Sequence, residues 1–573
     1  MGGVDTGAQM YDAALNRRKA LMGASGPAAL VKNLRVFSIA SFACIGGVLY
    51  GYNQGMFSGV LAMPAFQSHM GEYDPTDENA DQTKKGWLTS ILELGAWLGA
   101  LLSGFLAEAI SRKYATLVAA TVFIVGVVIQ ATSGHVGYQA ILAGRFVTGI
   151  GVGSLSMVVP MYNSECAPPE VRGALVALQQ FAIALGIMIS FWIDYGTNYI
   201  GGTTIDTQKD SSWLIPICLQ LGPAAILLIG MLFMPFSPRW LIHHDREGEA
   251  RQVLASLRGL SQDNELVELE LLEIKAQSLF EKRTVAEKFP SLGQQSTWNT
   301  FKLQFVAIKA LFETKPMFKR VIVATVTMAF QQFTGINAVL YYAPTIFKQL
   351  GLNGNTTSLL ATGVVGILMF VFTIPSVLYI DKIGRKPVLI FGAIGMAVCH
   401  IIIAGILGKF QDDMSDNPAA GWVAVAMVWL FVVNFAYSWG PCGWIIVAEI
   451  WPLSSRPYGV ALGSSSNWMC NFIVGQVTPD MLSKIKYGTY IFFGGLTAMG
   501  AAFVWYFVPE TKRLTLEEMD VVFGSVGTAQ ADFERMEEIN QEIGLTSMIL
   551  AGGDTSALDP QDEKEGVAKA EHE

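Results

Sequence analysis

Charged residues are scarce in this chain of 573 residues: Asp, Glu, Lys and Arg together make up 15% of it, whereas hydrophobic residues make up 52%. That balance lies far outside the composition of an ordinary soluble domain. The apolar residues also form repeated runs of about 20, longer than the core helices of a soluble protein. The composition therefore excludes a large soluble enzyme and predicts that lipid is the main solvent.

Cysteine pairs and catalytic groupings are also missing. The cysteines stand singly in or beside apolar segments without CxxC spacing, which excludes a disulfide framework and a zinc site; they are Cys44, Cys166, Cys218, Cys399, Cys442 and Cys470. The sequence has no nucleophile and base constellation and no phosphate-binding loop. We therefore expect no metal, no cofactor and no enzymatic activity. The net charge of −9 comes largely from the end of the chain, which speaks against a nucleic-acid partner.

Twelve apolar segments are predicted to cross the membrane, in two groups of six separated by a charged gap. The predicted spans are 36–63, 86–108, 115–133, 139–160, 173–194, 213–235, 319–343, 357–380, 387–408, 422–447, 458–479 and 487–508. The predicted fold is an all-α membrane protein. Its parts are an N-terminal segment (1–35), a six-helix bundle (36–235), a linker with short helices (236–318), a second bundle (319–509) and an acidic tail (510–573).

Basic residues flank the spans mainly on one side, which holds both termini and the linker. Lys and Arg beside a span resist translocation, so this side is predicted to be cytoplasmic. The sequon Asn355-Thr356-Thr357 then falls in an outward loop, where Asn355 is a candidate for glycosylation. We expect a multi-pass protein of the plasma membrane.

The two halves share a repeat of acids and arginines. Each half has an acid four residues before an arginine after its second span, and an acid seven residues before an arginine after its fourth. The pairs are Glu108 with Arg112, Asp381 with Arg385, Glu165 with Arg172, and Glu449 with Arg456. The repeat predicts two like-oriented bundles with a substrate site between them. We expect these charges to pair across the interface and hold it shut on the cytoplasmic side; the alternative is that they only end helices and anchor that face.

Amide side chains lie inside several predicted spans, where an unused polar group is costly. Amides and aromatic rings suit a sugar, whose hydroxyls donate and accept hydrogen bonds and whose C–H face is apolar. Hydrogen bonding between helices is the alternative use. The candidate amides are Gln179, Gln180, Gln331, Gln332, Asn337, Asn467 and Asn471, and the candidate rings are Phe435, Trp444 and Trp468. Gly440 and Pro441 are predicted to interrupt the tenth span, so that its outer half can close over a substrate.

Several motifs resemble those of the sugar porter family of the major facilitator superfamily, over residues 36–516. They are Gly144-Arg145 with the following glycines, Pro160 to Glu165, Gln331-Gln332 to Asn337, Tyr341-Tyr342, Asp381 to Lys386, Gly440-Pro441 and Pro509 to Lys512. In detail the sequence is most similar to hexose and pentose carriers of filamentous fungi. The resemblance implies alternating-access transport of a monosaccharide by a monomer. The leading candidate substrate is a hexose such as glucose, and a pentose is a further candidate. The resemblance places sugar binding on Gln180, Gln331, Gln332, Asn337, Trp444, Trp468 and Asn471, and gating on Tyr341 and Tyr342.

The sequence departs from this family pattern in the first span. Proton-coupled members carry an aspartate where this chain has Asn53, and that aspartate would pair with the residue corresponding to Arg145. An amide cannot titrate, which favours facilitative uniport. Two alternatives stay open: proton symport through another membrane carboxylate such as Glu93, and a sugar sensor that does not transport. Asp194, near an outer helix end, is expected to see water.

Overall fold

The computed structural model describes residues 33–70, 82–168, 172–290, 297–352, 354–512, 516–525 and 528–550, and every regular element within these ranges is a helix. The described residues form two compact units. One contains 33–37, 238–290 and 530–550, and the other contains 38–237 and 297–529 with their gaps. The larger unit holds all the helices that bear candidate site residues.

The first half of the larger unit is helical throughout its described residues, with helices of 4 to 29 residues. Its helices are α1 (Leu34–Ala43), α2 (Ile45–Val60), α3 (Pro64–Met70), α4 (Gln82–Ile110), α5 (Arg112–Ala131), α6 (Ser133–Val136), α7 (Tyr138–Cys166), α8 (Arg172–Thr197), α9 (Ser211–Leu219) and α10 (Leu221–Phe233). The turn between α4 and α5 is fixed by Ser111, which has a φ of 95° and whose hydroxyl accepts a hydrogen bond from the Tyr114 N–H. A serine in this position satisfies one of the free N–H groups at a helix start.

The linker and the second half are also helical. The linker carries α11 (Pro238–His243), α12 (Glu247–Arg258), α13 (Glu265–Lys288) and α14 (Thr297–Ala310). The second half carries α15 (Lys315–Phe333), α16 (Ile336–Gln349), α17 (Asn355–Ile383), α18 (Arg385–Phe410), a 3₁₀ turn (Gln411–Asp416), α19 (Pro418–Tyr437), α20 (Trp439–Glu449), α21 (Arg456–Lys484) and α22 (Gly488–Phe507). Three shorter helices follow: α23 (Leu516–Phe523), α24 (Thr528–Glu542) and α25 (Leu545–Leu550).

Ten of the twelve predicted spans coincide with described segments that are long and apolar enough to cross a membrane. Of the other two predicted spans, 319–343 corresponds to α15 and α16 together, and 458–479 corresponds to α21. The two helices α15 and α16 are short, at 19 and 14 residues, and together with α21 they carry five buried amides: Gln331, Gln332, Asn337, Asn467 and Asn471. Large side chains such as Phe233, Trp505 and Phe507 are exposed along the apolar helices, as expected for surfaces that face lipid.

Glycine allows the helices of the first half to approach closely. Gly95 and Gly99 of α4 lie directly against α7, where a Cβ on Gly99 would come within 2.9 Å of the Ile150 backbone. Gly149 and Gly153 of α7 lie equally close to the backbone of α4. Small residues at such contacts permit dense packing between membrane helices, where no hydrophobic driving force is available.

The smaller unit joins the linker to the tail. Arg283 of α13 forms an ion pair of 2.6 Å with Glu542 of α24, and Arg535 of α24 pairs with Glu287 of α13. Ile539 is fully buried within this unit. The acidic tail therefore contains a helix that packs on the linker, with its charges matched to basic residues of α13.

Candidate functional site

A break between α15 and α16 organises the centre of the second half. α15 ends at Phe333 and α16 begins at Ile336, with Gly335 between them at a φ of +89°. Glycine adopts this left-handed conformation without a Cβ clash, and here a Cβ would also lie 2.9 Å from the Phe493 ring. The break places Gln332, at the end of α15, next to Asn337, at the start of α16.

Five amide side chains form a continuous hydrogen-bonded chain around this break. Asn467 Nδ2 donates to Gln331 Oε1 at 2.6 Å, and Gln332 Nε2 donates to Asn467 Oδ1 at 3.1 Å. Asn337 Nδ2 donates to Gln332 Oε1 at 2.5 Å and to Asn471 Oδ1 at 2.8 Å. All five side chains are buried. We call Gln331, Gln332, Asn337, Asn467 and Asn471 the amide chain.

The amide chain continues into the first half of the molecule. Gln54 of α2 donates from Nε2 to Asn337 Oδ1 at 2.9 Å. Asn471 Nδ2 donates to Glu93 Oε2 on α4 at 3.0 Å, and the Tyr341 hydroxyl donates to Glu93 Oε1 at 2.7 Å. The candidate site therefore lies where the two halves meet, as predicted from the repeat.

The tenth predicted span is interrupted, but at Ser438, ahead of the predicted position at Gly440 and Pro441. α19 ends at Tyr437 and α20 begins at Trp439, with Ser438 between them at φ −117° and ψ −88°. Pro441 lacks the N–H that would bond to the Tyr437 carbonyl, so one backbone hydrogen bond across the break is missing. Gln331 Nε2 donates to the carbonyls of Trp439 at 2.7 Å and Gly440 at 3.1 Å, which links the amide chain to this interruption.

The three candidate rings differ in burial. Trp468 is buried, and its ring lies 5.3 Å from that of Tyr50 across the two halves. Its indole N–H has no hydrogen-bond partner among the described residues. Phe435 is buried beside Gly440, and Trp444 is half-buried. The Trp468 N–H is thus a donor available to a polar ligand.

The two glutamines of α8 lie outside the amide chain. Gln179 is buried against Gly47 of α2, and neither its Oε1 nor its Nε2 has a hydrogen-bond partner in the described part of the chain. Gln180 is half-buried. Buried amide groups of this kind are costly unless a ligand, water or another side chain satisfies them.

The charged repeat forms ion pairs within each half. Arg112 Nε lies 2.9 Å from Glu165, and Arg112 Nη1 lies 2.8 Å from Glu108. In the second half, Arg385 Nη2 lies 2.8 Å from Glu449. The repeat predicts pairing across the interface, but these pairs join helices of the same half. The reason is local, because the acid after each fourth span lies beside the arginine after the second span of its own half.

Of the other predicted gating and glycosylation residues, the structure describes the side chains of some and not of others. Arg456 Nη2 donates to the Trp451 carbonyl at 3.4 Å. The side chains of Arg172, Asp381 and Asn355 lie outside the described residues. Tyr342 donates from its hydroxyl to the Gly475 carbonyl at 2.7 Å, which fixes α16 against α21.

Asn53, the position at which the sequence was expected to depart from the proton-coupled pattern, forms a neutral pair with Gln220. Asn53 Nδ2 donates to Gln220 Oε1 at 2.5 Å. The Arg145 guanidinium stacks on the Phe57 ring at 3.8 Å and donates to the Thr89 carbonyl at 3.1 Å. Arg145 has no ion-pair partner among the described residues.

The expectation that Asp194 sees water is wrong, since its side chain is fully buried. It lies over Gly59 of α2, where the missing side chain lets α8 approach. Gln54 and Gln220 take part in these contacts but were not among the predicted site residues. Both are amides inside apolar spans, so the criterion that found the other amides could have found them as well.

A helical membrane protein whose two halves share a buried polar site at their interface is built as an alternating-access carrier. The model of the family described as "Sugar (and other) transporter" matches residues 39–523. The chain belongs to this sugar porter family of the major facilitator superfamily, and it is a multi-pass membrane transporter rather than an enzyme.

Curated relatives cover nearly the whole chain. A quinate permease of Neurospora africana is 32% identical over 89% of this chain and 92% of its own length. A protein named MFS glucose transporter mfs1, from Aspergillus flavus, is 34% identical over 89% of this chain and 94% of its own length. The names of the relatives thus include both an acidic and a neutral substrate.

Solved structures show the same fold. A partially occluded, inward-open structure of the xylose transporter XylE from E. coli matches with a TM-score of 0.67 and 27% identity, covering 84% of this chain and 99% of that one. The proton:xylose symporter XylE bound to 6-bromo-6-deoxy-D-glucose matches with a TM-score of 0.66 and 28% identity, covering 85% and 99%. The resemblance inferred from the motifs is therefore confirmed, and so is the all-helical major facilitator fold.

Proposed function

We propose that this protein carries a neutral monosaccharide, a hexose such as glucose or a pentose, across the plasma membrane by alternating access. The observation that carries the proposal is the amide chain at the interface of the two halves. Its members offer both donors and acceptors, which is the chemistry needed by a ring with several hydroxyls. Family membership supports alternating access as the mechanism, and the amide chain supports a substrate with several hydroxyl groups.

Charge distinguishes a sugar from an acid such as quinate, which bears a carboxylate beside its hydroxyls. The amide chain is neutral, and the charged type of side chain that it contacts is an acid, Glu93. A carboxylate substrate beside Glu93 would meet an acceptor where it needs a donor or a cation. Arg145 instead stacks on Phe57 and donates to the Thr89 carbonyl. The arrangement favours a neutral polyol.

In this proposal the sugar hydroxyls replace hydrogen bonds that the amides now make with one another. Gln331, Gln332, Asn337, Asn467 and Asn471 bind the hydroxyls. The unsatisfied amide of Gln179, together with Gln180, faces the sugar from the first half, and Phe435, Trp444 and Trp468 contact its C–H face. Such an exchange costs little, because each amide keeps its number of hydrogen bonds.

The proposed topology has twelve spans, with α15 and α16 together forming the seventh and α21 the eleventh, and with both termini in the cytoplasm. The ion pairs of Arg112 and Arg385 then stiffen the cytoplasmic end of each half while the halves rock as bodies. Tyr341 and Tyr342 act as gating residues on α16. A glycan on Asn355 would lie on the outer face, and one polypeptide suffices for transport.

Facilitative uniport is the proposed mode, because Asn53 pairs with Gln220 and neither amide can carry a proton. Proton symport is the second candidate, and one observation favours it: Glu93 is a buried carboxylate that contacts the opposite half. Ionisable groups inside a membrane protein are usually functional. The two modes differ in whether sugar uptake depends on a proton gradient.

The test is uptake of radiolabelled D-glucose, D-xylose, D-galactose, D-fructose and quinate by yeast that lacks its own hexose carriers, with and without a protonophore. We expect saturable uptake of at least one hexose that the protonophore leaves unchanged. Loss of uptake with the protonophore would instead support symport. Uptake of quinate alone would refute the neutral substrate, and a correctly localised protein that restores neither uptake nor growth on sugar would indicate a sensor.

A further inference from the structure

Helix α4 presents a row of polar side chains to the second half. The Ser90 hydroxyl donates to Gln476 at 2.7 Å, and the Trp97 indole N–H donates to the Ser465 hydroxyl at 2.8 Å. Glu93 lies between them, three residues from one and four from the other, and these spacings place all three on one helix face. The row shows that α4 is one of the elements that hold the two halves together.

Glu93 differs from its neighbours in this row because it binds two helices of the second half at once. The Tyr341 hydroxyl of α16 donates to one carboxylate oxygen at 2.7 Å, and Asn471 Nδ2 of α21 donates to the other at 3.0 Å. Each oxygen therefore has its own donor. A carboxylate provides two acceptor oxygens, whereas the amide of glutamine provides one.

The hydrogen bonds that reach Glu93 come directly from the proposed sugar site. Gln54 donates to Asn337, Asn337 donates to Asn471, and Asn471 donates to Glu93. Glu93 is thus the terminal acceptor of a series that starts in the first half, passes through the amide chain and returns to the first half. Asn471 is therefore the side chain that would contact both a bound sugar and Glu93.

We propose that Glu93 is a positioning residue that holds the halves together while the sugar site is empty, and that sugar binding weakens this contact by engaging Asn471. The inference rests on the proposed function of the amide chain. It makes reorientation of the empty carrier slower than reorientation of the loaded carrier. A contact can shift an equilibrium only if its free energy differs between the two states. In this proposal it does, because Glu93 binds Asn471 in the empty carrier and loses this partner in the loaded carrier.

Asp194, another buried acid, does not meet this requirement. Its side chain lies over Gly59, and both residues belong to the first half. When the halves move as rigid bodies, contacts inside one half are retained and contacts between the halves change. Of the two buried acids on the spanning helices of the described residues, Glu93 is thus the one that contacts the opposite half.

The experiment compares two fluxes of D-glucose in liposomes that contain the purified full-length protein. Equilibrium exchange needs only the loaded carrier to reorient, whereas net uptake into empty liposomes also needs the empty carrier to return. We expect exchange to be faster than net uptake in the wild type. Glu93→Gln keeps the size of the side chain but replaces one acceptor oxygen by an NH₂ group, so Tyr341 and Asn471 can no longer both donate to it. The variant should lower the ratio of exchange to net uptake by about threefold to tenfold.

Ser90→Ala is the matched control, because it removes a hydrogen bond of the same interface that does not involve the amide chain. This variant should keep the wild-type ratio. Tyr341→Phe removes the other donor to Glu93 and should lower the ratio in the same direction, which keeps the proposal testable if the glutamine variant does not fold.

Three results would overturn the proposal: a wild-type ratio of one, a wild-type ratio in both Glu93→Gln and Tyr341→Phe, or an equal loss in Ser90→Ala. Failure of the proposed function looks different, because a wild-type protein that moves no labelled glucose in either assay is not a glucose carrier at all.

Discussion

Replacing Asn337 by alanine should weaken sugar transport more than any other single change in the amide chain. Asn337 Nδ2 donates to Gln332 at 2.5 Å and to Asn471 at 2.8 Å, and its Oδ1 accepts from Gln54 at 2.9 Å. It is the member of the chain that contacts both the α15 and α21 amides and the first half. Alanine removes all three contacts and leaves their partners unsatisfied.

The size of the effect follows from the hydrogen bonds that a sugar would lose. The Asn337 amide can offer one donor and one acceptor to hydroxyls, and each neutral hydrogen bond contributes about 0.5 to 1.5 kcal/mol. Loss of two therefore costs about 1 to 3 kcal/mol, which corresponds to an increase of about fivefold to 150-fold in the half-saturating sugar concentration. The assay is concentration-dependent uptake of radiolabelled glucose in hexose-carrier-null yeast, normalised to the amount of protein at the cell surface.

Asn163→Ala is the matched control, since Asn163 is also a buried asparagine inside a membrane helix but contacts Cys44 rather than the amide chain. It should leave the half-saturating concentration within about twofold of the wild type, because it removes no sugar contact. An unchanged half-saturating concentration in Asn337→Ala, or an equal increase in Asn163→Ala, would refute the assignment of the sugar site.

Three further predictions concern packing, the ion pairs and the mode of transport. Gly99→Val should reduce the amount of folded protein at the membrane, because its Cβ would collide with α7; the measurement is fluorescence-detected size-exclusion chromatography. The control Gly222→Ala should leave that amount unchanged, because a Cβ there meets nothing within 4 Å. Arg112→Ala should lower the maximal uptake rate while leaving the half-saturating sugar concentration unchanged, because the pair with Glu165 at 2.9 Å stiffens one half without touching the site; a change in the half-saturating concentration alone would contradict this. Asn53→Asp introduces a titratable group beside Gln220 and should make uptake sensitive to a protonophore; uptake that stays insensitive would argue against this position as the one that determines coupling.

Much of the fold could be predicted because a membrane span requires about 20 apolar residues, and that requirement is visible in the sequence. The repeat of acids and arginines then related the two halves. The division of the seventh span was not predicted, since Gly335 is one glycine among 58 and its φ of +89° is a property of the folded backbone. The break at Ser438 was predicted two to three residues away, at Gly440 and Pro441, because a proline signals an interruption of this kind.

The composition of the site was easier to predict than its connections. Amides inside apolar helices are conspicuous, and the five that form the amide chain were all singled out. Which of them bond to one another depends on the register of α15, α16 and α21, and a single sequence contains no record of that register. For the same reason the ion pairs of Arg112 and Arg385 were expected between the halves, although each acid lies beside the arginine of its own half.

Counterflow in liposomes tests the central claim most directly, because it requires only a sugar site that faces each side in turn. Purified protein is reconstituted, the liposomes are loaded with unlabelled D-glucose, and labelled D-glucose is added outside. We expect the label to accumulate transiently above its external concentration, and Gln332→Ala to abolish most of that accumulation. Label that never exceeds the level of protein-free liposomes, or an alanine variant that matches the wild type, would contradict a sugar site built from the amide chain.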